Sequence, residues 1–275
     1  MYKKYELTNE TREFQGRVLH RIRALKDFGG VRAGDLGGWV EKEDNLSQLG
    51  ACWVYGNALV YENAVVYGNA RVHGSAKVAG SAWVYGDAQV YGDAQVCENA
   101  RVRGNTRVYG SAWVAGNALA CENALVSGNA LVYGNALVYG KARVGGNALV
   151  YGDAQVYGNA LVYENARVYG KAQVGGNALV YGNALVYGNA VITGCMHIQK
   201  KRDCLTVGPV GSRNDFTTFA KDQNGNVAVS CGCFYGTLDE FSEKVWATHG
   251  NNNFGVEYRA AIELAKAHFT EEEEQ

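Results

Sequence analysis

The feature that most constrains this chain is a six-residue repeat that runs without interruption from Val54 to Ile198. An aliphatic residue occupies every sixth position, 25 positions in all, with Ala120 as the one small exception. Alanine stands two residues before nearly all of them, and Gly followed by Asn, Asp or Ser stands two residues after most of them. The repeating unit is therefore A-x-V-x-G-N, and it covers more than half of the 275 residues.

Each unit fits one short strand and one tight turn. Because successive side chains of a strand point to opposite faces, the Ala and Val share one face and the two x residues share the other. The small apolar pair predicts the interior, and Gly accepts the positive φ that a tight turn requires. A helix is excluded because a period of six does not place these residues on one helical face. Identical units with identical small interiors predict a coil that stacks on itself.

The array resembles the hexapeptide-repeat family, in which three six-residue sides form one triangular coil of about 18 residues. The resemblance implies an all-β solenoid, a left-handed parallel β-helix of about eight coils. Residues 37–40 and 45–48 resemble the opening of YdcK-like bacterial and prophage hexapeptide proteins. The segments GPVGSRNDFTTF and CGCFYGTLDEF resemble a small module at the ends of phage and prophage repeat proteins.

The chain divides into three predicted parts. Residues 42–200 form the β-helix, whose open ends are strand edges that require covering. Residues 1–41 are predicted to be an N-terminal strand-rich cap, and residues 201–275 a small α+β module. In that module Asn224-Gly225 indicates a hairpin turn, and Thr237 with Glu240 forms a capping box that opens a helix. A second helix is predicted over about residues 257–269.

Folding the sequence at 18 residues per coil aligns tyrosines in columns outside the rod. One column, with its neighbours on the same strands, forms an apolar stripe of Leu131, Tyr133, Leu149, Tyr151, Arg167, Tyr169, Leu185 and Tyr187. Stacked tyrosines alone could serve only to stabilise a regular solenoid. The leucines beside them would expose a larger patch than soluble monomers usually carry, so we predict burial of this side in a homo-oligomer. Trimers are common in the family that the array resembles, so a trimer is the first expectation and a dimer the second.

Many proteins of that family are acyl-CoA transferases with a catalytic His and a loop extruded from the coil. This array contains no extruded loop, His73 is the one His inside its regular repeats, and His197 lies at the end of the array. His73 is therefore a weak candidate for a general base. The chain carries no P-loop, dinucleotide fingerprint or nucleophile elbow, so no cofactor is predicted and the sequence favours a non-catalytic protein.

Two further candidate sites, one for a metal and one for a ligand, lie towards the C-terminus. Cys195, Cys204, Cys231 and Cys233 could supply thiolates, but their spacing does not match a zinc knuckle and no metal is predicted. The polar loop of Arg213, Asn214 and Asp215 is a candidate ligand-binding site, since Arg213 could hold an anion. The alternative for this loop is an Arg213–Asp215 contact that orders it.

The formal net charge of -1 gives no general attraction to nucleic acid or to acidic membranes. Trp83 and Trp113, with Arg101, Arg103 and Arg107, could form a surface for single-stranded nucleic acid, but we expect these arginines on different sides. Without a signal peptide or a long apolar segment, a cytoplasmic location is expected, that of the host if a phage encodes the chain. The leading hypothesis is a phage or prophage solenoid that presents its faces or end module to a host protein or small ligand, for instance as an anti-defence inhibitor. An acyltransferase and a virion spike are the alternatives.

Overall fold

The computed structural model describes residues 3–270, so the first two residues of the predicted N-terminal cap and the last five of the C-terminal module lie outside it. The predicted solenoid is confirmed. Each two-residue strand of the array pairs in parallel with the strand 18 residues later, as Leu131–Val132 does with Leu149–Val150. The coil makes about nine turns rather than eight. The additional rung is the strand Leu36–Val40, which pairs in parallel with Leu59–Val60.

The 25 strands of the array form three sides of a prism. Side 1 continues from Leu36–Val40 through Leu59–Val60, Lys77–Val78, Gln95–Val96, Trp113–Val114, Leu131–Val132, Leu149–Val150, Arg167–Val168 and Leu185–Val186. Side 2 comprises Trp53–Val54, Arg71–Val72, Gln89–Val90, Arg107–Val108, Leu125–Val126, Arg143–Val144, Leu161–Val162, Leu179–Val180 and His197–Ile198. Side 3 comprises Val65–Val66, Trp83–Val84, Arg101–Val102, Leu119–Ala120, Leu137–Val138, Gln155–Val156, Gln173–Val174 and Val191–Ile192.

The interior of the prism is the column of Ala and Val side chains that the repeat predicts. These residues are almost completely shielded from solvent and form one continuous cluster from the N-terminal hairpin to the last coil. Thr106 replaces one alanine, and its hydroxyl donates to the carbonyl oxygen of Arg103 at 2.7 Å. This buried hydroxyl is therefore hydrogen-bonded, which offsets the cost of burying it.

The corners of the prism are tight turns with one residue in the left-handed region. At Gly140 φ is +72°, and a Cβ there would lie 2.9 Å from the backbone nitrogen of Gly158 in the next coil. Four turns carry glutamate in place of this glycine, again with positive φ: Glu62, Glu98, Glu122 and Glu164. Each carboxylate accepts the N–H of the glycine one coil further on, at 2.6 to 2.9 Å. This hydrogen bond between coils offsets the backbone strain that a side chain meets at positive φ.

The N-terminal end of the core is closed by an antiparallel hairpin, Tyr5–Phe14 and Arg17–Ala24, which extends side 1. Lys4 is fully buried in front of it. Its Nζ donates to the carbonyl oxygen of Cys52 at 2.9 Å and lies 4.9 Å from the centre of the Phe28 ring. Burial lowers the pKa of the Lys4 ammonium. The short 3-10 helix Glu43–Asn45 completes this end.

The C-terminal end is covered by a four-stranded antiparallel sheet and two helices. The strands are Cys204–Val210, Asp215–Lys221, Val227–Cys231 and Phe234–Thr237, after a 3-10 helix at Lys201–Asp203, and the helices are Leu238–His249 and Asn253–Phe269. The sheet crosses the last coil, where the Val191 N–H donates to Thr218 Oγ1 at 3.0 Å and the Cys195 N–H donates to Tyr235 Oη at 2.9 Å.

The helix starts follow from local capping. The predicted capping box is present, since the Glu240 N–H donates to Thr237 Oγ1 at 3.2 Å and the Thr237 N–H donates to Glu240 Oε2 at 2.8 Å. The last helix begins at Asn253, earlier than the predicted start near residue 257. The reason is Asn252, whose side chain accepts the Gly255 N–H at 2.9 Å and so caps the helix one turn sooner.

The corner geometry predicts that Gly140→Ala destabilises the fold by about 1–2 kcal/mol, because a Cβ is strained at positive φ and meets the next coil. Gly145→Ala is the matched control. Gly145 lacks a positive φ, and its Cβ would contact only Ser127 Oγ, at 3.1 Å. We expect the free energy of unfolding from urea titration to fall by this amount for Gly140→Ala and to change by less than about 0.5 kcal/mol for Gly145→Ala. Equal effects of the two substitutions would contradict this account of the corners.

Candidate functional sites

The tyrosines of the predicted stripe form a continuous ladder on side 1. The ring centroids of Tyr133, Tyr151, Tyr169 and Tyr187 follow one another at 5.0, 4.9 and 5.5 Å, with nearly parallel ring planes. The two end rings are 38% and 57% exposed, while the inner two are half-buried by their neighbours. The ladder is therefore rigid, because each inner ring is held between two others.

Leucines stand beside this ladder on the same strands. Leu131, Leu149 and Leu185 are half-buried on the outer face, and Arg167 interrupts the leucine column with an exposed side chain. One edge of the stripe carries opposite charges in successive coils, where Asp153 and Lys171 occupy equivalent turns. The stripe is thus an apolar surface with a polar border and one cation, Arg167, within it.

Trp113 lengthens the stripe by one coil, which the sequence analysis missed. Its strand pairs with that of Leu131, and its Nε1 donates to Cys97 Sγ at 2.8 Å, which fixes the indole against side 1. The indole is 42% exposed and lies with Leu131 and Tyr133 along an apolar groove of about 450 Å³. When the sequence is aligned at 18 residues per coil, Trp113 lies one coil before Leu131 in the same column. The sequence therefore already indicated that Trp113 extends the stripe.

His73 belongs to an aromatic ladder on side 2. Its ring stacks on Tyr91 at 4.9 Å and meets Tyr55 edge-on at 6.4 Å. Burial lowers the pKa of His73, and the positive charge of Arg71 lowers it further. Within residues 3–270 no side chain hydrogen-bonds the ring of His73. A general base is normally oriented by such a partner, whereas the surroundings of His73 serve to hold a flat ring.

This environment predicts a pH dependence of stability. Because the pKa of His73 is lowered in the folded state, the unfolded chain binds this proton more readily, and stability is lost as the pH falls through about 6.5. His73→Phe keeps a stacking ring but does not titrate. We expect the Tm of the unmodified protein to fall further between about pH 7.5 and pH 5.5 than the Tm of His73→Phe. Parallel pH profiles of Tm would contradict this environment for His73.

The predicted ligand loop does not gather its three residues around one point. The Arg213 guanidinium packs against the backbone of Gly232, and Asn214 adopts positive φ within a turn. The carboxylate of Asp215 accepts the N–H of Phe216 at 2.8 Å. Among the described residues no ion pair joins Arg213 to Asp215, so the alternative of an ordering Arg–Asp contact is not observed either.

The same loop brings together two residues that the sequence analysis did not pair. Ser212 Oγ lies 3.5 Å from His249 Nε2, and the His249 ring lies 5.6 Å from that of Tyr258. Burial raises the pKa of Tyr258, which keeps its hydroxyl protonated. The hydroxyl–imidazole distance is at the limit of a hydrogen bond, so this pair is a weaker candidate site than the stripe.

The cysteines and the basic residues are scattered. In the part of the chain that the structure describes, no three His, Cys, Asp or Glu side chains are grouped closely enough to hold a metal ion. Arg101 stacks over Trp83 at 5.4 Å on side 3, where Arg103 also lies, so these two arginines share a side contrary to expectation. Arg107 and Trp113 lie on sides 2 and 1. Neither described helix is long and apolar enough to cross a membrane.

Comparison with known proteins identifies the type of repeat. Segments of the array match the YdcK β-solenoid repeat at residues 54–68, 94–110, 124–140, 130–146, 154–170, 172–188 and 180–194. A stretch of 61 residues is 39% identical to a protein of Escherichia coli (strain K12) named "Uncharacterized acetyltransferase YdcK". That stretch covers 19% of this chain and 19% of the relative. The array is therefore similar to YdcK-type solenoid repeats, and the likeness to the named relative extends over about a fifth of either protein.

Proposed function

We propose that the protein is a non-catalytic binding rod that self-associates through the stripe on side 1. The supporting observation is the ladder from Tyr133 to Tyr187, which is rigid, flat and bordered by leucines. A preorganised apolar surface loses little conformational entropy on binding, and a continuous apolar patch on a protein surface is typical of an interaction site. The partner we propose for this surface is a second copy of the chain.

Charges at the edge of the stripe favour a particular arrangement of the two copies. A twofold axis perpendicular to the rods makes the two copies run in opposite directions. It reverses the order of the coils, but it places the same edge of the stripe against itself. With the axis between the coils of Tyr151 and Tyr169, these two rings face each other across the interface. Asp153 of each copy then lies opposite Lys171 of the other, so the contact of opposite charges occurs two times in the dimer. This complementarity favours an antiparallel dimer over the trimer that family resemblance alone suggests.

The interface is tested by charging it. Leu149→Glu combined with Tyr151→Glu places two carboxylates in an apolar contact, which should raise the dissociation constant on the order of 100-fold. Native mass measurement should then show the chain mass of 29.7 kDa instead of its double.

The matched control is Leu161→Glu with Tyr163→Glu. This pair has the same chemistry on side 2 of the rod, and it should leave the mass unchanged. A monomeric unmodified protein would overturn the proposal, as would a mass that is insensitive to the side 1 substitutions. A threefold mass that the side 1 pair abolishes would retain the interface but replace the dimer by the trimer.

The name of the YdcK relative makes an acetyltransferase the second candidate function. On our proposal, incubation with acetyl-CoA and amine acceptors releases no free CoA above background, because His73 is a ladder ring without an orienting partner. Thiol detection of released CoA checks this, with His73→Phe as the control that retains the stacking ring. Turnover that disappears in His73→Phe would favour the acetyltransferase.

The likeness of the end segments to phage and prophage repeat proteins suggests the setting of this binding rod. We propose that the assembled rod presents its free sides or its C-terminal module to a host protein or small ligand in the host cytoplasm. Inhibition of a host defence protein would be one such role. A virion spike is the structural alternative, and it would use the same rigid coil as a passive element.

A further inference from the structure

The aromatic ladder on side 2 is broken at two successive positions. Tyr91 and Tyr109 stack at 5.0 Å on one flank of the break, and Tyr163 and Tyr181 stack at 5.2 Å on the other. Ser127 and Gly145 occupy the ring positions between them. Tyr109 and Tyr163 are three coils apart, roughly 14 Å at the usual strand spacing, so the ladder lacks two rings.

Neighbouring side chains do not fill this vacancy. A Cβ added to Gly145 would meet only Ser127 Oγ, at 3.1 Å. The comparable gap on side 3 is different, because the ring of Tyr157 leans over Gly175 and occupies the space. The outer face of the Tyr109 ring is therefore left without the stacking partner that the other inner rings of its column have.

Positive charges lie beside the vacancy. Arg107 and Arg143 lie two coils apart in the neighbouring column of side 2, with Leu125 between them, and Lys141 stands at the adjoining corner. Together with Tyr109 they line a groove of about 600 Å³ that runs alongside the vacant ring positions of Ser127 and Gly145, which are not part of its lining. The one carboxylate in this lining is that of Asp87.

The three cations are available to a ligand. The Asp87 carboxylate accepts the Asn69 side-chain amide at 3.0 Å. Across residues 3–270, no carboxylate forms an ion pair with Arg107, Arg143 or Lys141. Two arginines on either side of a leucine suit the oxygens of a phosphate, which arginine binds in a bidentate manner.

We propose that this break is a binding site for a nucleoside diphosphate. The base stacks on Tyr109 in the vacant ring positions, and the phosphates lie between Arg107 and Arg143, with Lys141 at the border. Tyr163 closes the far end of the vacancy, so the site accepts one nucleotide rather than a strand of nucleic acid. The site lies on side 2, separate from the stripe on side 1, and does not depend on self-association.

Titration calorimetry on the full chain tests the site with ADP, GDP and UDP as probes. Adenosine and pyrophosphate serve as the two halves of the first probe. We expect at least one nucleoside diphosphate to bind. If the site binds adenine, ADP should bind at least tenfold more tightly than adenosine or pyrophosphate. Ser127→Tyr combined with Gly145→Tyr fills both vacant ring positions with the residue that most of this column carries, and it should weaken binding by at least tenfold.

Two further variants separate the charges from the fold. Arg107→Gln with Arg143→Gln should weaken binding by a similar factor. Arg71→Gln should leave binding unchanged, because Arg71 lies on the same side beside the filled position of His73. Native mass and Tm of each variant establish that the rod and its assembly are intact, which separates failure of this site from failure of the stripe.

Three results would overturn the proposal. The first is the absence of binding by all three diphosphates. The second is undiminished binding to the variant that combines Ser127→Tyr with Gly145→Tyr, which would place the nucleotide elsewhere. The third is pyrophosphate binding as tight as that of the best diphosphate, which would leave an anion site without a base-stacking component.

Discussion

The narrow interior of the coil is the constraint on which every other feature depends. Each side contributes one Ala and one Val per turn, and these residues are packed without contact with solvent. Such an interior has no room for a ring or a charge, so every larger side chain of the repeat is directed outward. The same constraint fixes the register, because a shift by one residue would exchange the inner and outer faces of a strand.

Fixed register turns the surface into columns of side chains one strand spacing apart. Tyrosine stacks on tyrosine at 4.7 to 5.5 Å, and asparagine bonds to asparagine in the corners, as Asn117 does to Asn135 at 3.0 Å. The corner glutamates follow the same rule, since each carboxylate reaches the glycine one coil further on. Contacts between like positions thus add stiffness along the rod axis, and the solenoid presents surfaces that change little on binding.

The hexad predicted the three sheets, the interior and the tyrosine columns, because each follows from a period of six and the alternation of strand side chains. It could not predict that Leu36–Val40 forms a rung, since that strand lacks the A-x-V-x-G-N pattern. Nor did it predict the burial of Lys4, whose partner Cys52 is distant in sequence. The loop of Arg213 to Asp215 was assigned from residue types alone, and the contacts that disperse it depend on the Gly232 turn. Long-range contacts of this kind carry no local signal.

Periodicity also bears on where chemistry can arise on such a rod. A regular column places each residue between two like neighbours, and His73 is held in this way between Tyr55 and Tyr91. A binding or catalytic site instead requires unlike groups that converge on a common point. On a solenoid without an extruded loop, this convergence occurs where a column is interrupted. Ser127 and Gly145 form such an interruption with unpaired cations beside it, which is why a break in the ladder is a better place to seek a ligand than the histidine within it.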